Sequence, residues 1–167
     1  MLIRNAGPAD TPAILAIYNH AVKHTTAVWN ATPATLADRE AWLADKARRD
    51  FPVLVAEKDG AVRGYATYGE FRAFSGYAKT AEHSVYVDPA CHRQGIGKAL
   101  LEALVAHAGR AGLHVLVAGI DASNTGSIAL HEALGFVVAG RLNEVGRKFD
   151  RWLDLLFLQK ILEPPLS

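Results

Sequence analysis

The segment VDPACHRQGIGKALL, residues 87–101, joins a β-rich run to an amphipathic run. Apolar residues recur at helical spacing only after Gly95-Ile96-Gly97, so we expect a helix to begin at these glycines. The start of a helix leaves backbone N–H groups without partners and carries partial positive charge. Glycines let an anion approach those groups, and Arg93 and Lys98 add full charges. The segment therefore predicts a phosphate cradle.

The composition limits the size of the protein and its partners. Half of the 167 residues are apolar, which is enough for one domain with its own core. The 18 Lys and Arg nearly balance the 17 Asp and Glu, so neither nucleic acid nor a membrane is an expected partner. No apolar run is long enough to span a membrane, and Cys91 is the only cysteine. We expect a single cytoplasmic domain over residues 1–167, with a frayed tail at 163–167.

Hydrophobic periodicity predicts the order of the secondary-structure elements. Helices are expected to begin near Asp10, Thr35, Gly95 and Asn124. Lys58-Asp59-Gly60 is typical of a hairpin turn. Strands are expected at residues 2–5, 51–57, 61–68, 81–87, 114–120, 136–142 and 151–158. The predicted fold class is α/β, an α+β mixed sheet of about seven strands with four helices on both faces, in which the two strands flanking the glycine-opened helix run parallel.

Three classes of phosphate-binding loop can be weighed against the sequence. A Walker A loop requires GxxxxGK[ST], whereas Gly97-Lys98-Ala99 lacks both the hydroxyl and the upstream glycine. A dinucleotide fingerprint requires a third glycine where this chain has Leu100, and its first glycine should directly follow the strand. The remaining class is a strand followed by a loop of the form [Q/R]xxGxG and then a helix.

This loop and three other segments resemble the GNAT superfamily of N-acetyltransferases. The segments EHSVYVDP, RQGIGKALLEAL, SNTGSIALHEALGF and VGRKFDRWLDLLFLQ are similar to its phosphinothricin and methionine sulfoximine acetyltransferase branch, and the resemblance covers nearly the whole chain. It implies the GNAT acyl-CoA N-acyltransferase fold, acetyl-CoA as cosubstrate and a homodimer. One residue departs from the pattern, because His92 stands where the family has Gln or Arg.

The resemblance also implies where the cofactor binds. The pyrophosphate would lie on the loop and the start of the helix, and the pantetheine arm would lie along the preceding strand. The implied contacts are Val85, Tyr86, Val87, Arg93, Gln94, Gly95, Ile96, Gly97, Lys98 and Asn124.

Acetyl transfer to an amine needs a base for the amine, donors for the oxyanion and a proton for the departing sulfur. By resemblance, Glu82 corresponds to the general base and His131 to a proton donor, or His131 shares the base role with Glu82. An imidazole with a pKa near about 6.5 can supply a proton at neutral pH. A solvated carboxylate and a packed histidine are the structural alternatives. Cys91 as an acetylated nucleophile is disfavoured, because only the adjacent His92 could activate it.

The loop FRAFSGY, residues 71–77, combines an arginine with three aromatic residues before the strand of Glu82. A guanidinium binds a carboxylate through two hydrogen bonds, so Arg72 is expected to hold the carboxylate of a small amino acid. The resemblance implies that Ala73, Phe74, Glu82, His83 and Ser84 complete the acceptor site. A protein N-acetyltransferase and a non-catalytic CoA-binding module remain as alternative functions. No metal is expected, because the histidine spacing does not resemble HExxH.

Overall fold

The computed structural model describes residues 1–164, which form one mixed seven-stranded sheet flanked by helices. The elements are β1 (Leu2–Asn5), α1 (Thr11–His24), α2 (Leu36–Arg48), β2 (Val53–Lys58), β3 (Ala61–Glu70), β4 (Thr80–Val87), α3 (Ile96–Arg110), β5 (Val115–Asp121), α4 (Thr125–Ala133), β6 (Val137–Lys148) and β7 (Arg151–Ile161). This order confirms the prediction. Part of the tail that was expected to fray, residues 165–167, lies outside the described residues.

The strands are arranged in the order β1-β2-β3-β4-β5-β7-β6. Only β4 and β5, which flank α3, pair in parallel, as predicted. β6 forms the outer edge and continues to Lys148, well past its predicted end near Leu142. That prediction was wrong because Gly140, Asn143 and Gly146 have low strand propensity. The β6–β7 pairing accommodates them through register shifts between Val138 and Gly140 and between Leu142 and Gly146.

The helices divide between the two faces of the sheet, as predicted. On one face, α3 buries Leu100, Leu101 and Leu104 against β2 to β5 and β7, and residues of α4 pack at the margin of the same cluster. On the other face, α1 buries Ile14 and Ile17 against the central strands, and Trp42 and Leu43 of α2 pack beside them. These faces are called the α3/α4 face and the α1/α2 face below.

Gly64 of β3 is a point of close approach between the sheet and α3. A Cβ at this position would lie 2.9 Å from the Tyr86 carbonyl oxygen and 3.0 Å from Cδ1 of Leu100. The backbone oxygen cannot move away without disturbing the β3–β4 pairing. α3 can therefore pack this closely on the sheet because residue 64 is a glycine.

We predict that Gly64→Ala lowers the free energy of unfolding by about 1–3 kcal/mol, because the added methyl overpacks the contact between the sheet and α3. Gly109→Ala is the control: a Cβ there meets nothing within 4 Å, and alanine favours a helix by about 0.5–1 kcal/mol over glycine. Urea unfolding at an unchanged m-value measures both variants. Equal stability of Gly64→Ala and the wild type would contradict the packing argument.

Candidate active site

The site is built on a parting of the sheet between β4 and β5. These strands pair only over Thr80–Glu82 and Val115–Val117. Beyond this point β4 remains paired with β3, and β5 remains paired with β7 as far as Asp121. The facing edges of residues 84–87 and 118–121 therefore have no strand partner. Backbone N–H and C=O groups on such edges need other partners, so the gap is suited to a ligand with amide groups.

A cavity of about 200 Å³ occupies this gap. It is lined by residues 83–86 of β4 and 118–121 of β5, by Asn124, Ser127 and His131 from α4 and its N-cap, by Thr26, Ala27 and Trp29 after α1, and by Leu155 of β7. Of the predicted site residues, the structure thus brings together His83, Ser84, Val85, Tyr86, Asn124 and His131.

The predicted phosphate cradle lies at the N-terminus of α3, next to the end of β4. Gly95 is the N-cap residue with φ of 77°, and Arg93 also has a positive φ of 60°. A Cβ added to Gly97 would meet Leu130 at 3.4 Å and Val87 at 3.6 Å, which are ordinary van der Waals contacts, so packing does not require this glycine. Lys98 is exposed and ends 3.9 Å from Glu102, a weak surface ion pair that leaves the charge available.

The remaining cradle residues differ in what they can offer. The Ile96 side chain is buried in the core, so only its backbone N–H could face a ligand. Gln94 accepts a hydrogen bond of 2.7 Å from Lys58 of β2, which brings another cation to the loop. His92, the departure from the family pattern, is exposed beside it.

Glu82 is the last residue of β4 that pairs with β5, so it lies at the point where the strands part. Its carboxylate lies on the α1/α2 face, since alternate residues of a strand point to opposite faces and Ala81 packs under α3. The side chain reaches solvent, yet partial burial raises the pKa of its carboxyl group, and the charge of Arg72 opposes that shift. A carboxylate with a raised pKa is a better proton acceptor.

His83 and His131 form a buried pair on the other face of the sheet. Their Nε2 atoms are 3.0 Å apart, and the two rings stack with centroids 5.2 Å apart. His131 Nδ1 lies 2.7 Å from the Ser127 carbonyl oxygen. His83 is 5% exposed, and its Nδ1 has no hydrogen-bond partner among the described residues. The pair joins β4 to α4 next to the point where β4 and β5 part.

The carbonyl of Ser127 fixes the protons on the pair. A carbonyl only accepts, so His131 Nδ1 carries the proton and donates it. In the neutral ring, His131 Nε2 is then an acceptor, and His83 must donate from its own Nε2. In the neutral ring, the buried Nδ1 of His83 then carries a lone pair and makes no hydrogen bond, while the nearby Val117 carbonyl favours a proton on the His83 ring. Glu82 and His131, the two predicted catalytic residues, therefore lie on opposite faces of the sheet, and both nitrogens of His131 already have partners.

Burial keeps both histidines neutral. It lowers the pKa of His83 well below its ordinary value, and the neighbouring His131 lowers it further, although the nearby Val117 carbonyl opposes the shift. Burial also lowers the pKa of His131, against the effect of the Ser127 carbonyl. The hydrogen bond requires that at least one of the two rings be neutral, because two protonated rings would place an N–H on both Nε2 atoms.

The predicted acceptor loop, residues 71–77, lies outside this cavity. Arg72 and Ala73 are exposed, Phe74 is 79% exposed, and all three line a second cavity of about 170 Å³ beside Phe51 and Leu113. Arg72 is near enough to Glu82 to act on its charge. Phe74 and Tyr77 of the loop line this second cavity and not the one between β4 and β5.

The sequence interpretation missed several residues of the cavity. Asp121 at the end of β5 accepts hydrogen bonds of 2.9 Å from the backbone and hydroxyl of Ser123, and another from Thr26. Burial alone would raise the pKa of Asp121, but these hydrogen bonds outweigh it and hold the pKa below its ordinary value. An acidic residue directly after a buried strand was the available signal. Nothing in the sequence pointed to Ser127.

Other predicted features stay outside the site. Cys91 is half-buried, packs against the core and lines neither of the two cavities. Within residues 1–164, no group of three or more metal-ligating side chains is arranged to hold a metal ion, and no helix is long and apolar enough to cross a membrane. That the protein uses no metal stays a prediction from the sequence.

Comparison with known proteins agrees with this geometry. The model of the acetyltransferase (GNAT) family matches residues 14–136. The L-methionine sulfoximine/L-methionine sulfone acetyltransferase of Pseudomonas aeruginosa is 52% identical over 166 residues, covering 99% of this chain and 96% of that protein. The chain belongs to the GNAT acetyltransferase family.

Two solved structures show the same fold. A ribosomal-protein-alanine N-acetyltransferase from Brucella melitensis superposes with a TM-score of 0.96 at 54% identity, covering 97% of this chain and all (100%) of that one. A GNAT superfamily phosphinothricin acetyltransferase from Sinorhizobium meliloti, in complex with AcCoA, gives a TM-score of 0.94 at 36% identity, covering 98% of this chain and 90% of that one. The predicted GNAT fold is confirmed.

We predict that His83→Asn lowers the free energy of unfolding at pH 7.5 by about 1–3 kcal/mol, because His131 Nε2 loses its donor. In the wild type, unfolded histidines titrate near about pH 6.5 and the folded pair titrates lower. Between these two pKa values the unfolded chain therefore binds more protons than the folded chain. The free energy of unfolding consequently falls as the pH is lowered through this range. Urea unfolding at pH 7.5 and pH 5.5 should show that the free energy of unfolding decreases less between these pH values for His83→Asn than for the wild type. An identical pH dependence would contradict the neutral pair.

Proposed function

We propose that the protein transfers the acetyl group of acetyl-CoA to the α-amine of a small amino acid such as methionine sulfone, methionine sulfoximine or phosphinothricin, by direct transfer in a ternary complex. The observation that supports it most is the parting of β4 and β5, which opens a cavity through the sheet and has the glycine-opened start of α3 at the end of β4. Such a cavity can admit two substrates from opposite faces.

The residues present fit acetyl-CoA. The free N–H groups at the start of α3, together with Arg93 and Lys98, suit its pyrophosphate. The unpaired edge of β4 at Val85, Tyr86 and Val87 suits the amides of the pantetheine arm, and the thioester supplies the activated acetyl group. The side-chain oxygen of Asn124 already accepts a hydrogen bond from the Ser127 N–H, so a cofactor contact would use its NH₂ group.

Glu82 takes the proton from the acceptor amine in this proposal. It lies at the apex of the gap, on the α1/α2 face, opposite the face that carries the cradle. Its raised pKa, caused by burial, makes the carboxylate a stronger base, and the charge of Arg72 opposes that shift. Ser84 lies on the same face two residues further along β4 and lines the cavity, which suits it to the polar side chain of the acceptor.

The histidine pair supplies a proton on the α3/α4 face. His131 donates its Nδ1 proton to the Ser127 carbonyl. The proton on His83 Nε2 is donated to His131 Nε2 and not to a carbonyl, so it is the one available for transfer. A neutral imidazole that gave it up would become an anion, so delivery to the departing sulfur requires that His83 take up a proton at Nδ1 in the same step, from water in the cavity that it lines. His131 therefore acts together with His83, and His83 belongs to the proton-supplying side and not to the acceptor site.

The test is release of free CoA thiol from acetyl-CoA by the purified protein, across methionine sulfone, methionine sulfoximine, phosphinothricin, the common amino acids and a basic peptide. Saturable turnover with the tetrahedral-headed amino acids is the expected result. Binding of acetyl-CoA without turnover of any acceptor would retain the cradle and overturn the catalytic proposal in favour of a CoA-binding module.

We predict that Glu82→Gln lowers kcat about a hundredfold or more, because general base catalysis contributes about 10²–10⁴-fold. In the wild type, kcat/KM should rise with pH through the raised pKa of Glu82, since only the carboxylate accepts a proton. That limb should be absent in the variant, while the KM for acetyl-CoA stays unchanged. A variant with wild-type kcat would assign the base to another group.

A protein N-acetyltransferase is a second candidate. The loop of Arg72 and Phe74 is exposed, which would leave room for a peptide. The similar Brucella melitensis protein is described as acting on a ribosomal protein alanine. A peptide with N-terminal alanine, added to the acceptor panel, separates the two: a higher kcat/KM for the peptide than for methionine sulfone would favour this function.

We also propose that two copies of the chain associate in the cytoplasm through β6 and β7. β6 is an edge strand whose Val137, Val138 and Leu142 are exposed, and Trp152 of β7 is exposed beside them. A long apolar edge strand left open promotes association. The exposure of Trp152, which is 58%, supports a place for it in this interface and not in the core.

We predict that Leu142→Glu shifts the protein from dimer to monomer in sedimentation velocity, because it places a charge in the apolar contact. The matched control is Leu36→Glu on α2, since the two leucines are 47% and 43% exposed. The control should leave the sedimentation coefficient unchanged. A dimer that persists in Leu142→Glu at low concentration would place the interface elsewhere.

A further inference from the structure

Lys148 is a buried cation that the proposed reaction does not use. It is the last residue of β6 and is only 7% exposed. Its Nζ donates to the carbonyl oxygens of Thr25 at 2.6 Å and Val28 at 2.5 Å, with the Ala21 carbonyl oxygen at 3.5 Å. An ammonium group has three donors and no acceptor, so three carbonyls match it. Within residues 1–164, no carboxylate forms an ion pair with it.

The three carbonyls belong to the end of α1 and to the turn that follows it. The Ala21 carbonyl in α1 already accepts from the N–H and the hydroxyl of Thr25. The carbonyls of Thr25 and Val28 lie beyond the helix and receive the two short hydrogen bonds of Lys148. The cation comes from a distant part of the sequence, the β6–β7 hairpin. Lys148 therefore fixes where the chain goes after it leaves α1.

Residues 25–29, which form that turn, are here called the wall segment. Thr26, Ala27 and Trp29 of this segment line the cavity. Thr26 donates from its hydroxyl to Asp121, and the indole N–H of Trp29 donates to the Thr26 carbonyl at 2.8 Å. The wall segment follows α1 and so approaches the cavity from the α1/α2 face, across the sheet from the cradle at the start of α3.

The hairpin touches the wall segment at a second point, Gly146. A Cβ at Gly146 would lie 2.2 Å from Cε3 of Trp29, so the indole rests directly on the backbone of β6. The register shift between Leu142 and Gly146 places this glycine under the ring. The wall segment is thus held by Lys148 at its backbone and by Gly146 under its largest side chain.

We propose that Lys148 and Gly146 are positioning residues that set the affinity for the acceptor by holding the wall segment against the cavity. This inference rests on the proposed function, in which the acceptor occupies the α1/α2 side. Neither residue lines the cavity, so each acts through Thr26, Ala27 and Trp29. Loss of the cation leaves the carbonyls of Thr25 and Val28 without their donor, and the wall segment moves towards water to satisfy them.

The test compares Lys148→Met with Lys23→Met in the thiol-release assay. Lys23 is exposed on the same helix end, which makes it the matched control. Lys148→Met should raise the KM for methionine sulfone about tenfold, which corresponds to about 1.4 kcal/mol. Its KM for acetyl-CoA should stay unchanged, because the cradle lies on the other face. Lys23→Met should change neither constant.

Two further variants distinguish an effect on protein stability from a displacement of the wall segment. Leu54→Ala removes a buried side chain of β2 far from the wall segment, and should lower the melting temperature without changing either KM. Gly146→Ala displaces the Trp29 ring while leaving Lys148 in place, and should raise the acceptor KM as Lys148→Met does. If Lys148→Met fails to fold, Gly146→Ala gives the same readout.

The outcomes separate the inference from the proposed function. A folded Lys148→Met or Gly146→Ala protein with an unchanged acceptor KM overturns the inference while the proposed function stands. A wild type that turns over no acceptor overturns the proposed function. In that case, hydrogen exchange of residues 25–29 decides the positioning claim: faster exchange in Lys148→Met than in Lys23→Met supports it, and equal exchange refutes it.

Discussion

The short parallel pairing of β4 with β5 is the constraint on which the site depends. The two strands share only three register positions, between Thr80–Glu82 and Val115–Val117. A fully paired sheet would have satisfied its backbone internally and would have had no opening through it. Because each strand keeps its other neighbour, the gap stays open while the sheet remains continuous. The unpaired backbone thus borders the cavity.

Two sets of polar groups fix the elements that border the gap. On the α3/α4 face, His83 and His131 connect β4 with α4 through neutral imidazoles. On the α1/α2 face, Asp121 and Lys148 hold the segment that follows α1. All four side chains are buried and make specific hydrogen bonds, and such groups favour one arrangement because the alternatives leave a polar atom unpaired. Apolar packing alone would allow the strands to close.

The sequence predicted the elements and the start of α3 at the glycines well because both depend on local patterns. Gly95 and Gly97, the alternation along β4 and the helical spacing of Leu100 and Leu104 are readable from neighbouring residues. The sequence did not show that Glu82 and His131 lie on opposite faces, because that needs the three-dimensional course of β5 and α4. Contacts such as Lys148 with Thr25 join residues far apart in the sequence, and no local pattern encodes them.

The division of the site between two faces also bears on how products would leave. The cradle at the start of α3 opens on one side of the sheet, and the segment containing Trp29 borders the other. In the proposed reaction, CoA and the acetylated amino acid would therefore each have an exit of its own. Neither product would have to depart before the other, so the order of release would be set by the affinity of each product and not by the geometry of the cavity.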